Sequence, residues 1–216
     1  MKKNIDFTLY VITDENLIKK DIGKAVEKAI KGGATIIQYR AKNKTTKQMY
    51  KEASEIKKVC DKYSVPLIIN DRVDIALAVD ADGVHVGQDD MDVEVVRRLI
   101  GFNKVLGLST KNIKQVRQAN KLPVDYIGFG SVFPTKTKKD AKEAGLENLR
   151  KAVEISLVPV VAIGGISEEN VEKVLNAGCK NVAVVSAVFK DKNIEENAKK
   201  LKEKLLKQKT MGFRAL

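Results

Sequence analysis

The stretch Ile68 to Asp90, IINDRVDIALAVDADGVHVGQDD, decides how this chain is read. Pro66 to Asn70 is an apolar run of strand length, residues 72–80 (RVDIALAVD) have the make-up of a compact helix, and Gly83 to Gly87 is a second short strand. A helical crossover this short makes the two strands parallel neighbours in a β-α-β unit. Asp71 and Asp90 then leave the sheet at its C-terminal edge and face one space. Carboxylates with the amides of Asn70 and Gln88 nearby, and no thiol, suit a hard cation. Mg²⁺ is such an ion, held by one or two carboxylates and completed by water and substrate phosphate. A carboxylate placed just after a strand can equally cap the following helix, so the pair also has a purely structural reading.

The same rhythm extends in both directions. Before it, FTLYVIT (residues 7–13) predicts a strand, and residues 21–32 predict a helix with Ile22, Val26, Ala29 and Ile30 on one stripe. ATIIQYR (34–40) predicts a second strand, followed by a long helix over 46–63 with Thr45 and Thr46 as cap candidates. After it, a helix over 92–100 stops at Gly101, KVLGLS (104–109) is a strand, and 112–122 is a helix. YIGFGSV (126–132) is a glycine-bearing strand that runs into PTKTKKDAKEAGL, the longest irregular stretch in the chain. Next come a helix over 146–156, the strand PVVAI (159–163) and Gly164-Gly165. A helix capped by Ser167 and stopped at Gly178 leads to the strand NVAVVSA (181–187) and a final lysine-rich helix over 194–208.

Eight apolar, β-branched strands alternating with helices predict a parallel sheet buried on both faces. The expectation is an α/β fold, a single-domain (β/α)8 TIM barrel over residues 1–208, with a tail at 209–216 that has no readable period. A doubly wound open sheet is the alternative, but the first turn lacks GxGxxG and nothing marks a dinucleotide site.

Composition narrows the function. The chain has 216 residues, 44% hydrophobic and 31% charged, with a net charge of +12. The lysines are spread over most helical segments and mixed with acids, and aromatic residues make up only 5%. A solvated basic exterior that steers anionic small molecules therefore fits better than nucleic-acid binding. No apolar run approaches the roughly 18 residues that span a bilayer, and the N-terminus does not read as a signal peptide. Cys60 and Cys179 lack CxxC spacing and read as buried thiols in a reducing cytoplasm. Oligomeric state stays open, a homo-oligomer included.

In a barrel the chemistry sits at the strand ends. The second strand ends in Gln38-Tyr39-Arg40-Ala41-Lys42, where alternation sends Gln38 and Arg40 to one side and Lys42 follows, a fork and a point charge suited to a diphosphate. The fifth contributes Ser109, and the sixth leads to Thr135, Thr137 and Lys138. The seventh and eighth end in Gly164-Gly165 and Val185-Ser186, where backbone N–H groups can approach a phosphate. Each feature alone has a bland explanation: Gly-Gly merely turns the chain, Arg40 pairs with an acid, and the loop lysines are solvated. Their grouping implies two anionic ligands, a diphosphate with Mg²⁺ and a monophosphate, and so a transferase that expels diphosphate. The rim offers no cysteine and no Ser–His pair. The one histidine, His85, falls inside the fourth strand and reads as a packed core residue.

These stretches resemble the thiamine phosphate synthase (thiamine-phosphate pyrophosphorylase) family. The resemblance rests on YVITD (10–14), QYRAK (38–42), IINDR (68–72), DGVHVGQDD (82–90) and GLST (107–110). It continues with YIGFGSVFPTKTK (126–138), VAIGGI (161–166) and VVSA (184–187). It implies that 4-amino-2-methyl-5-hydroxymethylpyrimidine diphosphate and thiazole phosphate are joined to thiamine phosphate and diphosphate. The route is dissociative, through a pyrimidine methylene cation captured by the thiazole nitrogen. The resemblance further implies that Arg40, Lys42, Asn70 and Lys138 hold the diphosphate, and that Asp71 and Asp90 hold one Mg²⁺. Gln38 and Ser109 would touch the pyrimidine, while Thr135, Thr137, Gly165, Val185 and Ser186 hold the thiazole phosphate. Arg40, Lys42, Lys138 and Ser109 would serve catalysis. Asp89 stands beside Asp90, and the family spacing favours Asp90. Two alternatives carry different chemistry: a thiazole tautomerase-like barrel, which needs a histidine for proton transfer, and a non-catalytic thiamine-phosphate-binding barrel.

Overall fold

The computed structural model describes residues 5–135 and 144–211. Its strands are β1 (Leu9–Ile12), β2 (Ile36–Tyr39), β3 (Leu67–Asn70), β4 (Gly83–Val86), β5 (Val105–Thr110), β6 (Tyr126–Gly130), β7 (Val160–Ile163) and β8 (Val182–Val184). They pair in parallel, each with its neighbour in sequence, and β8 pairs with β1, so the sheet closes. Closure turns the strict alternation of each strand into two cores. Leu9, Val11, Ile37, Leu67, Ile69, Leu106, Ile127 and Phe129 face outward into the layer beneath the helices. Tyr10, Ile12, Ile36, Ile68, Val105, Tyr126, Val161 and Ala183 face inward and fill the barrel. With both faces buried, strands read as unbroken apolar runs, which is why the sequence showed them so plainly.

The helices are α1 (Ile22–Lys31), α2 (Thr46–Lys62), α3 (Val73–Ala78), α4 (Val93–Ile100), α5 (Ile113–Ala119), α6 (Gly145–Ile155), α7 (Val171–Asn176), α8 (Ser186–Phe189) and α9 (Ile194–Met211). α1 buries Ile22, Val26, Ala29 and Ile30, the expected stripe. α2 opens on a capping box. Gln48 N–H donates to Thr45 Oγ1 at 3.3 Å, and Thr45 N–H donates to Gln48 Oε1 at 2.9 Å, a device that stabilises a helix start by about 1 kcal/mol.

Several boundaries differ from expectation: β8 stops at Val184, with Ser186 and Ala187 in α8 instead of the strand, and α5 stops at Ala119. The helix after Gly164-Gly165 begins four residues beyond Ser167. Ser167 Oγ bonds Glu169 while its backbone N–H donates to Asn170 Oδ1 at 2.8 Å, so these residues form turns that precede α7 instead of its first turn. The last helix continues to Met211, three residues past its expected end, because no proline or glycine interrupts the 209–211 segment.

Candidate active site

The C-terminal ends of the strands open onto a cavity of about 210 Å³. Its mouth is built by two loops that hold each other. Thr13 Oγ1 accepts from Arg40 N–H at 3.0 Å. Glu15 Oε1 accepts from Lys42 N–H at 3.1 Å and from Asn43 N–H and Nδ2 at 3.1 and 2.9 Å. The loop after β1 thus clamps the backbone of the loop after β2. Arg40 and Lys42 extend from a fixed base while their charged ends reach the mouth. Arg40 Nη1 lies 3.9 Å from Asp14 Oδ2, and Lys42 Nζ is ion-paired with Asp71.

The carboxylates meet as expected. Asp71 has φ 60°, the left-handed region that Asp tolerates better than most residues, and it lines the cavity together with Asp90. Burial pushes the Asp71 carboxyl above the usual carboxylate range. Lys42 opposes this, and the Asp90 carboxyl, in hydrogen-bond contact, adds to it. The two acids share one space, and Asp90 disfavours ionisation of Asp71. Neither caps a helix: α3 has no side-chain cap, and α4 is capped by Asp92, whose Oδ1 accepts from Glu94 N–H at 2.8 Å. Asp90 Oδ2 instead accepts from Gly87 N–H at 2.7 Å. Helix capping is therefore excluded for both.

Among the described residues, no group of three or more His, Cys, Asp or Glu could hold a metal. A carboxylate pair with an open side fits Mg²⁺, which keeps several of its waters and takes substrate phosphate oxygens, better than a cation needing a full protein cage.

On the far wall, Gly164 and Gly165 adopt φ values of 101° and 63°. A Cβ on Gly164 would run into Ser131, and one on Gly165 would meet Phe133 and the Pro134 carbonyl. Glycine is required at both, and it leaves bare backbone against the cavity beside Val185, Ser186 and Thr135.

The floor was not foreseen. Gln38 Nε2 donates to Tyr10 OH at 2.8 Å, Tyr10 OH lies 2.8 Å from Tyr126 OH, Tyr126 OH lies 2.9 Å from His85 Nδ1, and His85 Nε2 lies 2.9 Å from Ser109 Oγ. Room for this chain comes from Gly107, where any side chain would collide with the Tyr126 and His85 rings. His85 is buried, as expected of a packed core residue, but contrary to expectation it forms a Ser–His pair with Ser109. A phase signal existed: inward positions of β4 and β6 carry glycines 83, 128 and 130 around one bulky polar residue each, and glycine in a strand marks close approach.

Of the residues expected at the site, Gln38, Arg40, Lys42, Asp71, Asp90, Ser109, Thr135, Gly165, Val185 and Ser186 line one cavity. Asn70 ends β3 beside Asp71 but is not part of the wall. Gln88 Nε2 donates to the Ser109 carbonyl at 2.7 Å. Thr137 and Lys138 lie outside the described residues, as does most of the loop they belong to. Lys111 is a further cation lining the cavity.

Fold and rim together define a class, a (β/α)8-barrel enzyme that works on small molecules at its C-terminal mouth. Residues 9–188 match the family model described as thiamine monophosphate synthase. The thiamine-phosphate synthase of Persephonella marina is 66% identical over 201 residues, covering 93% of this chain and 96% of that protein. That of Ruminiclostridium cellulolyticum is 49% identical over 204 residues, covering 94% and 97%. The solved structure of thiamine phosphate pyrophosphorylase from Pyrococcus furiosus superposes with a TM-score of 0.86 at 42% identity, covering 93% of this chain and 96% of that one. The chain belongs to the thiamine monophosphate synthase family and is a transferase of thiamine biosynthesis.

Proposed function

We propose that the protein couples the aminopyrimidine diphosphate to the thiazole phosphate by a dissociative substitution, with Asp71 and Asp90 holding one Mg²⁺. The observation that carries this is the placement, around one cavity, of Arg40, Lys42 and the carboxylate pair on one side and Gly164-Gly165, Val185 and Ser186 on the other. Two anions thereby find separate berths with a common space between them. The bond from the pyrimidine methylene carbon to the diphosphate oxygen breaks, both electrons leaving with the diphosphate. The lone pair of the thiazole nitrogen then closes the new C–N bond.

Arg40 offers a planar fork to the diphosphate oxygens. Lys42, paired with Asp71 in the ligand-free protein, exchanges that partner for the incoming anion. Magnesium on the carboxylate pair would supply further charge stabilisation for the leaving group. Gln38 and Ser109 hold the pyrimidine ring, and the glycine backbone with Thr135 and Ser186 holds the thiazole phosphate so that its nitrogen faces the methylene carbon. By the family resemblance, Asn70 and Lys138 would also hold the diphosphate and Thr137 the thiazole phosphate. The proposed setting is a reducing cytoplasm, supported by Cys60 and Cys179 being free. Burial pushes the Cys60 thiol up to about 12, which keeps it protonated and unreactive.

The test is direct. Purified protein given both substrates and Mg²⁺ yields thiamine phosphate and an equal amount of diphosphate. Absence of both products across a range of enzyme concentrations overturns the reading. An electron-withdrawing substituent on the pyrimidine slows turnover if a cation forms; indifference to it removes the dissociative route.

A further inference from the structure

The buried chain Gln38–Tyr10–Tyr126–His85–Ser109 joins two walls of the cavity that stand three strands apart, β2 and β5. Each link has one proton, so the direction of the first sets all the others. Gln38 Nε2 donates to the Tyr10 oxygen. The Tyr10 proton then goes to its other partner, the Tyr126 oxygen, and the Tyr126 proton goes to His85 Nδ1. A neutral His85 that accepts at Nδ1 carries its own proton on Nε2 and donates it to Ser109 Oγ. The Ser109 proton is left to point into the cavity, and at the other end the Gln38 amide oxygen is left to accept. Burial pushes both phenols above their ordinary range, so neither loses the proton on which the order depends.

We propose that Tyr10, Tyr126 and His85 are positioning residues that force the two ends of the chain into opposite characters, an acceptor at Gln38 and a donor at Ser109. A flat ring lying between those walls fits when it carries an N–H donor on one side and a ring-nitrogen lone pair on the opposite side. In the aminopyrimidine of the proposed substrate, the amino group and the ring nitrogen across from it meet that requirement. The inference rests on the proposed reaction for its ligand, but the proton order belongs to the protein alone.

His85 is the only histidine in the chain, so ¹⁵N NMR of the ligand-free, full-length protein at neutral pH reports its tautomer without assignment. The expected spectrum shows a protonated, pyrrole-type Nε2 and an unprotonated, pyridine-type Nδ1. A proton on Nδ1, or an imidazolium, overturns the proposal. In Tyr126→Phe, which keeps the ring and removes the donor to Nδ1, the single tautomer gives way to an averaged signal; an unchanged spectrum overturns the proposal too.

In turnover, Tyr126→Phe and Tyr10→Phe raise KM for the pyrimidine diphosphate roughly tenfold, the effect of one misplaced hydrogen bond. KM for the thiazole phosphate stays within about twofold, a split that general loosening of the barrel would not produce. An equal rise in both overturns the positioning role. If a variant fails to fold, the wild-type spectrum still decides. The spectrum requires no substrate, so failure of the proton order and failure of the proposed reaction are separate results.

Discussion

At the N-terminal end of the barrel, Arg97 is almost wholly buried, and four of the five N–H donors of its guanidinium are engaged. It donates to Asp125 at 2.7 Å and to the carbonyls of Pro123, Gly101 and Lys104 at 3.0, 2.8 and 2.8 Å. At the opposite mouth, the Arg40 guanidinium has, among the described residues, only the Asp14 carboxylate, at 3.9 Å. The same side chain closes one end and is left with bonding capacity at the other. The acids show the same contrast. Asp125 is satisfied, accepting from Arg97 and from Leu106 N–H at 2.9 Å, whereas Asp71 is held beside Asp90 in surroundings that raise its proton affinity. A base that completes its own hydrogen bonds stabilises the barrel; a rim that leaves them incomplete is available to a ligand.

Substitutions at the two ends should therefore separate activity from stability. The largest effect is expected at the rim. Asp71→Ala lowers turnover on the order of a thousandfold, the several kcal/mol of charge stabilisation that a bound metal supplies, with no comparable loss in a thermal melt. Activity close to wild type would detach Asp71 from the metal and erase the contrast. Arg97→Ala at the base reverses the pattern: urea titration shows a loss of about 3–5 kcal/mol, the cost of breaking an ion pair whose arginine is buried, while the folded fraction keeps near-normal kcat. If its kcat fell as far as that of the Asp71 variant, the base could no longer be called purely structural.

Between the ends, Gly107→Ala pushes on the Tyr126 and His85 rings and is expected to cost about 1–3 kcal/mol of stability by overpacking. It should also raise KM for the pyrimidine substrate. A stable variant with unaltered KM would mean that the floor repacks freely. Glu15→Ala loosens the loop that carries Lys42, with a loss in kcat/KM of roughly tenfold or less, about the contribution of the hydrogen bonds removed. Unchanged kcat/KM would show that the loop is held by its other contacts.

The smallest effect is a pH dependence whose sign follows from Asp71. Its folded carboxyl is raised by burial and by Asp90 against the opposing Lys42, so the folded protein binds the proton more tightly than the unfolded chain does. Without ligand, ionised Asp71 is a burden at neutral pH. Asp71→Asn should melt slightly higher than wild type there, and the gap should close as pH falls through the raised value. Mg²⁺ affinity, measured by calorimetry, weakens over the same window. A gap that widened on acidification would mean the reverse shift.

Much of the rim was legible because local chemistry wrote it into short words. IINDR and DGVHVGQDD place acids just past strand ends, QYRAK places two cations past another, and Gly164-Gly165 declares a backbone that no side chain permits. The floor was less legible. Tyr10, His85 and Tyr126 are individually ordinary strand residues, and the distances that make them one chain span 41 to 116 positions in sequence. Gln88 was less legible too: it stands two positions before Asp90, yet its Nε2 donates to the Ser109 carbonyl.

The sequence by itself determined the eight-fold alternation, the inward and outward phases of the strands and the identity of the groups at their ends, because these depend on periodicity and on residues a few positions apart. Closure of β8 onto β1 decided the rest. Only that ring brings Gln38, Tyr10, Tyr126, His85 and Ser109 into bonding range, presses Asp71 against Asp90, and turns one end of the barrel into a sealed base and the other into a mouth. Hydrogen bonds and charge coupling fall off within a few ångströms, and those distances exist only once the sheet has closed.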